Sequence, residues 1–325
     1  PLLIGKDKST LESIIKLDLS HESYDLTSSI KMYETLNGPS SDRYEYVLPS
    51  YDFSKNFFRD NPNGSFNLNS SGNNTLSNTN ITTSSLVNNL NYSSFSYFLE
   101  NGIKTDYKIS VKNINAMGKN SNIYKNSLQS ELMSSYYYNI SLPLRKNNKN
   151  TINSLIPKLL FTLSPHEMKD NSNVSRRIDS SSVFSTNRLG LGNSFEGGES
   201  LTLGIDFIKE KVNFNNEITE IEKYFDFKLA TVFRLNEEKN IPIDSTLNKK
   251  TSNIFGRFNF YPNEIISINY DMSLTSDFDR FEYNALNTKF TFNNFSTSFN
   301  YIEESGIIGQ ANIIENTTKY NFDEY

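Results

Sequence analysis

The chain has 325 residues, of which 36% are hydrophobic, and a mean hydropathy of −0.54, which speaks against a large conventional core. A formal net charge of −5 argues against nucleic acid as a partner, while 13% aromatic residues are too many for simple disorder. The absence of cysteine excludes disulfides and Cys-ligated metals. The longest apolar run is about four residues, far below the ~20 that a spanning helix needs. A membrane protein of this composition is therefore a β-barrel, with one face toward lipid, the other toward water, and aromatic girdles between.

Strand signals begin at Leu11, with Ile15, Leu17 and Leu19 on one face and Glu12, Lys16 and Asp18 on the other, a period of two. A tight His21-Glu22-Ser23 connection leads into Tyr24, Leu26, Ile30 and Met32, completing a hairpin. Gly38 to Asp42 reads as a loop and Tyr44 to Phe53 as a strand, where Pro49 predicts a bulge because it cannot donate to the ladder. Asn61-Pro62-Asn63-Gly64 is a turn before Phe66, Leu68 and Ser70, and the Asn/Ser/Thr tract Asn73 to Asn80 reads as a loop before a long strand to Phe98. Glu100-Asn101-Gly102 is a hairpin turn, since Asn-Gly accepts positive φ.

Ile103, Tyr107, Ile109 and Val111 lead to a loop around Met117 to Asn120. Strands over about Leu128 to Leu142 and Ile152 to Leu163 flank the polar turn Arg145 to Asn150, and Tyr136-Tyr137-Tyr138 are candidate girdle residues. Ser164 to Gly198 is the longest connection. Beyond it come Leu201 to Phe207, then the clearest alternation in the chain: Phe225, Phe227, Leu229, Thr231, Phe233 and Leu235 against Asp226, Lys228, Ala230, Val232 and Arg234. Charges fall on one face only, as water on one side and lipid on the other would require. Ile254 to Phe260 and Ile266 to Leu274 are joined at Tyr261-Pro262-Asn263-Glu264, Phe281 to Phe292 and Phe295 to Tyr301 at Asn293-Asn294, and a last strand begins near Asn316.

About fifteen strands of barrel-spanning length result, and no helical stripe competes with them. Every second connection (about 37–43, 74–80, 115–126, 166–198, 236–250, 276–280 and 304–315) averages roughly twice the length of the others (20–23, 55–63, 99–102, 142–150, 209–221, 262–264 and 293–294). Long surface loops and short periplasmic turns follow that rule in outer-membrane barrels.

The most distinctive stretch is Ser180 to Phe207, where Val183-Phe184 and Asn187-Arg188 precede Gly190, Gly192, Gly197 and Gly198. It resembles the LptD family of outer-membrane lipopolysaccharide-assembly proteins, in which the pattern L-F-x-L-N-R-F-x-G-x-D-R-x-E-x-G-x-x-x-x-Y-G opens a strand. Val183-Phe184, Asn187-Arg188, Gly190, Glu196, Gly198 and Gly204 match, whereas Leu189 stands for the aromatic and Asn193-Ser194 for the acid-base pair. Tyr46-Val47-Leu48-Pro49 with Tyr51-Asp52-Phe53 is similar to the family's V-L-P-x-x-x-Y strand.

The resemblance implies an all-β, antiparallel up-and-down transmembrane β-barrel of the cell outer membrane. Such a protein is not an enzyme and needs no cofactor or metal. It receives lipopolysaccharide from the periplasmic Lpt bridge through an N-terminal jelly-roll domain, inserts it into the outer leaflet through a seam between its first and last strands, and is plugged by an LptE-like lipoprotein. Its other partners are outer-membrane lipids, with no nucleic acid. Residues 1–325 are expected to be an internal part of the barrel domain with both ends truncated, since Pro1-Leu2-Leu3-Ile4-Gly5 has no initiator Met or signal-peptide form and Tyr320 to Tyr325 ends inside an alternating pattern. The jelly roll and both seam strands would then lie outside it.

On that glycine-rich loop, Arg188 and Glu196 could pair and pin it inside the lumen, with Asn187 bonding the backbone; direct contact with a partner is the alternative. The rest of the chemistry is sparse. His21 and His166 have no ligand or nucleophile partner at a recognisable spacing and are expected at the surface. Glu237-Glu238 and Glu303-Glu304 read as solubilising loop charge. Arg176-Arg177 and Lys249-Lys250 are either ordinary loop charge or contacts to anionic head groups. No phosphate-cradling loop, metal motif or nucleophile elbow occurs. A porin, a receptor-type transporter and a soluble secreted β-sandwich or adhesin remain as alternatives.

Overall fold

The computed structural model describes residues 9–37, 43–57, 63–215, 218–306 and 309–322. The predicted Gly38–Asp42 loop, Asn61-Pro62 and both chain ends lie outside the described residues. Seventeen strands follow one another: β1 Thr10–His21, β2 Tyr24–Thr35, β3 Tyr44–Phe57, β4 Gly64–Ser77, β5 Ile81–Ser94, β6 Tyr97–Phe98, β7 Lys104–Lys119, β8 Gln129–Ser141, β9 Leu144–Asn147, β10 Thr151–Ser164, β11 Gly198–Asn215, β12 Ile218–Arg234, β13 Ile254–Phe260, β14 Ile266–Leu274, β15 Phe281–Phe292, β16 Phe295–Gly306 and β17 Gly309–Tyr320. A single 3-10 turn, Ile243–Ser245, is the one helical element among the described residues. Two strands are short continuations: β6 pairs with β7 as β5 does, and β9 pairs with β10 as β8 does. The expected fifteen passes are therefore present, in antiparallel up-and-down order.

The chain divides into two compact units, Pro1–Phe95 with Lys108–Ser135, and Ser96–Tyr107 with Tyr136–Tyr325. In the first, β1 to β5 and β7 pair in sequence order. The β1–β2 hairpin turns at Glu22-Ser23, where the register closes His21 on Tyr24. Pro49 sits where the β3–β4 register slips between Val47 and Ser50, with a matching irregularity in β2 between Ser29 and Lys31, as a residue without an N–H requires. One face carries the exposed Leu11, Ile15, Leu17 and Leu19, and the other shelters Ser29, Ser110 and Lys112.

In the second unit β8 and β9 both pair with β10, and β10 to β17 pair as successive antiparallel neighbours. Cross-strand partners share a face, so the registers collect Leu201, Leu203, Phe207, Phe227, Leu229, Phe258 and Phe260 on one side and Lys158, Asp206, Asp226, Lys228, Ala230, Val232 and Arg257 on the other. The core lies on this second, charged side. Met168, Ile178, Val183, Leu189 and Leu191 of the 165–197 connection and Ile241 and Leu247 of the 235–253 connection pack on Ala230, Val232 and Phe255 of the sheet, with Phe184 at the edge. Water was the expected neighbour of that face, yet here two connections fold back and cover it.

Element boundaries differ from expectation at five places: Met117 to Lys119 are the end of β7, paired with β5, rather than a loop, and at four others partner strands extend the ladder. The Asn73 to Asn80 tract is strand up to Ser77, held by Thr75 opposite Thr83, with only residues 78–80 as a turn. Arg145 to Asn147 belong to β9. The expected 209–221 connection is the continuous β11–β12 hairpin, its register running to Asn215 opposite Ile218. β17 begins at Gly309 rather than near Asn316. The difference in length between the two sets of connections therefore rests on 165–197 and 235–253.

Candidate functional site

The site grows from the 165–197 connection. Asp179 opens a turn by accepting from the backbone N–H groups of Ser181 and Ser182, both at 2.8 Å, and from Ser181 Oγ at 2.6 Å. Burial raises the Asp179 carboxyl, but the hydrogen bonds from Ser181 and Ser182 outweigh it and hold the group below the usual carboxylate range. This turn delivers Val183 into the core and Phe184 onto the sheet. Gly204 receives Phe184: a Cβ there would stand 2.6 Å from a ring carbon, so only glycine lets the ring lie on the strand. Lys158 stands 5.7 Å from the ring centroid and pairs with Asp206 beneath it.

Next, Asn187 Oδ1 accepts from the Leu191 backbone at 3.1 Å, and its own carbonyl accepts from Gly190 at 3.0 Å. Gly190 has φ +67, the left-handed region that glycine enters without strain, and this reversal aims Arg188 at the wall while Leu191 returns to the core. The Arg188 side chain is 2% exposed. It donates through Nε to Glu196 Oε2 at 2.7 Å and through Nη2 to Glu196 Oε1 at 2.6 Å. It also reaches the Val183 carbonyl at 3.2 Å, Thr202 Oγ1 at 2.7 Å and Ser200 Oγ at 2.9 Å. A second arginine completes the group. Arg234 of β12, 1% exposed, donates to Glu196 Oε1 at 2.6 Å and to the Gly197 carbonyl, just before Gly198 starts β11 with φ +76. Burial raises the Glu196 carboxyl, while the charges and hydrogen bonds of Arg188, then Arg234, reverse that and hold it below the usual range.

Arg188 and Glu196 thus lie together in one sheltered clamp against strands β11 and β12, approached through the exposed turn at Asn187 and Gly190, while Gly198 opens β11 beside it and Gly204 lies under Phe184. Arg234 is the member that local pattern did not single out; its one signal was an arginine on the face of β12 that carries the small Ala230 and Val232.

Magnitudes assign the roles. Burying each of Ile178, Val183, Leu189 and Leu191 contributes about 1.5–3 kcal/mol, whereas an assembled buried ion cluster roughly breaks even against apolar replacements. The apolar contacts therefore drive the connection onto the sheet.

Other charges that sequence left open are placed too. Arg176 donates to the Arg188 carbonyl at 2.9 Å. Arg177 lies 3.7 Å from the Tyr283 ring centroid and donates to Glu304 at 3.2 Å, so both arginines bind protein. Glu303 and Glu304 belong to β16 rather than a loop. His21 is exposed, but His166 is half-buried against Phe195, ring centroids 6.0 Å apart. Tyr136 and Tyr138 are exposed, whereas the alternate Tyr137 is 5% exposed, so two of the three can serve a girdle. No group of three or more His, Cys, Asp or Glu that could hold a metal occurs among the described residues.

An antiparallel up-and-down wall with one apolar face, and with its longest connections folded onto the polar face, defines an outer-membrane β-barrel protein. The profile of LptD, the LPS transport system D family, matches residues 3–324, and the chain belongs to that family. No curated protein matches the chain. The family is one of lipopolysaccharide transport and assembly at the outer membrane rather than of known enzymes. That membership takes precedence over the porin, receptor-type and soluble-sandwich alternatives.

Proposed function

We propose that residues 1–325 form part of a larger barrel domain that inserts lipopolysaccharide into the outer leaflet, supplying wall, lumen lining and surface connections. Its whole protein would take lipopolysaccharide from the periplasmic Lpt bridge through a jelly-roll domain and carry an LptE-like lipoprotein as plug. The observation that carries the reading is the two-faced wall of fifteen passes in a chain matched by the family over residues 3–324. The face bearing Leu203, Phe227 and Phe258 would meet lipid, and the face bearing Lys158, Asp226 and Arg257 the lumen. In that setting the clamp around Arg188, Glu196 and Arg234 holds the 165–197 connection as an inward-folded surface loop, with Asn187, Gly190, Gly198 and Gly204 shaping its path. The role is structural: it sets lumen width and gives a plug partner a defined surface.

Because the chain has no cysteine, one can be placed at Ser181, in the long connection, or at Asn294, in the short β15–β16 turn, in the full-length protein freed of other cysteines. Intact cells are then treated with a membrane-impermeant thiol reagent. Labelling at Ser181 alone is expected. Equal labelling at both positions means a surface-exposed soluble domain and ends the transport reading.

A further inference from the structure

Rows of cross-strand partners expose an inconsistency on the apolar face of the first unit. One row runs Leu19, Leu26, Phe53, Ser70, Asn88, Asn113, and the next runs Leu17, Ser28, Tyr51, Gly72, Leu86, Asn115. Both begin apolar on β1; the first turns polar at Ser70, Asn88 and Asn113, and the second reaches Gly72 and Asn115 with Leu86 between them. Below them the same strands are apolar again, with Leu68, Leu90 and Val111, then Phe66, Tyr92 and Ile109. A contiguous polar patch therefore interrupts a face that otherwise suits lipid, where unsatisfied polar groups are costly.

The patch is partly self-satisfied. Tyr51 Oη and Ser70 Oγ are 3.0 Å apart, Ser70 donates to Asn88 Oδ1 at 2.7 Å, Asn88 donates to Asn113 Oδ1 at 3.4 Å, and Asn113 donates to the Glu131 carbonyl at 3.2 Å. Asn115 donates to Asn113 Oδ1 at 2.5 Å, which leaves its own Oδ1 with capacity to accept.

Beside this chain of bonds lies a pocket of about 400 Å³ lined by Tyr51, Asn74, Ser84, Leu86, Asn115 and Met117, with the exposed Leu128 at its rim. Its size falls in the range of small-ligand sites, roughly 300–1,000 Å³. Not one lining side chain is charged. Phosphate would gain no ion pair there, whereas carboxamides and hydroxyls, each able to donate and accept, match vicinal sugar hydroxyls. Leu86, Met117 and Leu128 supply the apolar flank that an acyl chain needs.

We infer that this pocket seats one glycolipid molecule of the outer leaflet, its sugar hydroxyls on Asn74, Ser84 and Asn115 and its acyl base on Leu86, Met117 and Leu128. The inference rests on the reading above, because the 78–80 turn and the 120–128 connection nearest the pocket belong to the same alternate set as 165–197 and so to the cell-surface end.

The test uses the full-length protein, purified from outer membranes in mild detergent, with retained lipopolysaccharide and phosphatidylethanolamine quantified by mass spectrometry. Ser84→Phe fills the pocket with a lipid-compatible side chain, Asn115→Leu removes a carboxamide, and Ile15→Phe on the same face is the control. Loss of one hydrogen bond, about 1 kcal/mol, predicts a roughly fivefold fall in retained lipopolysaccharide in the first two variants only, with phosphatidylethanolamine unchanged.

Heat-modifiable mobility checks folding. Wild-type protein that retains no lipopolysaccharide, retention unchanged in folded variants, or retention of phosphatidylethanolamine in its place overturns the site. Depletion of the parent protein separates the two claims. Lipopolysaccharide still reaching the surface after depletion sinks the transport reading, whereas its loss together with unchanged retention in the variants sinks only this pocket.

Discussion

Glu196→Gln is the most revealing perturbation of the clamp. In the native arrangement Glu196 accepts three charge-assisted hydrogen bonds, at 2.7 and 2.6 Å from Arg188 and at 2.6 Å from Arg234. The amide keeps one acceptor but no charge, so two guanidinium groups with 2% and 1% exposure remain buried without a counter-ion. Removing one partner of a buried ion pair costs about 3–5 kcal/mol. At 1.4 kcal/mol per power of ten, undocking of the 165–197 connection becomes about two to three and a half powers of ten more frequent. The assay is hydrogen exchange over that connection in the folded full-length protein. Protection at the Val183 and Gly190 amides, which donate within the connection to Asp179 and Asn187, should fall by that factor, while the β15–β16 pairing stays unchanged. A loss under about threefold would show that the carboxylate does not hold the connection, and the account of the clamp would be wrong. Replacing all three residues with apolar ones of similar volume should restore much of the protection, because buried ion clusters exchange for apolar contacts at little net cost.

Acid should act through the same group. Glu196 titrates below its ordinary value of 4.5, so its contribution is complete above that value and is lost as pH falls through the lowered pKa. Protection of the connection should be equal at pH 7 and pH 5 and decline only below pH 4.5; a decline already at pH 6 would point to another group. Gly204→Val should displace the Phe184 ring at a cost of about 1–3 kcal/mol, read as a lower unfolding temperature of the heat-modifiable form, and an unchanged temperature would mean the ring is not held there. Arg188→Glu sets two carboxylates beside each other in a buried site and should reduce barrel assembly; wild-type assembly with unaltered heat resistance would refute the clamp's importance.

Local pattern alone carried the strands whose two faces contrast. Phe225, Phe227, Leu229 and Phe233 alternate against Asp226, Lys228 and Arg234, and both turns at His21–Tyr24 and Asn293-Asn294 lie between such runs. It failed where hydropathy has no contrast. Asn73 to Ser77 is polar but for Leu76, and its strand state comes from the ladder with β5, which supplies the backbone partners whatever the side chains are. The β11–β12 extension and the start of β17 have the same origin.

By itself, the amino-acid order determined the fold class, the number of passes and the family, since each depends on a period of two and on residues a few positions apart. It also brought Arg188 and Glu196 onto one connection, eight residues from each other. Only the tertiary structure decided which face of the sheet would be covered, that Arg234 would close the clamp from 38 residues away, and that Phe184 would need the bare backbone of Gly204. The physical reason is range. Alternation acts between adjacent residues, whereas burial of an arginine or a ring is settled only when distant segments exclude water from the same place.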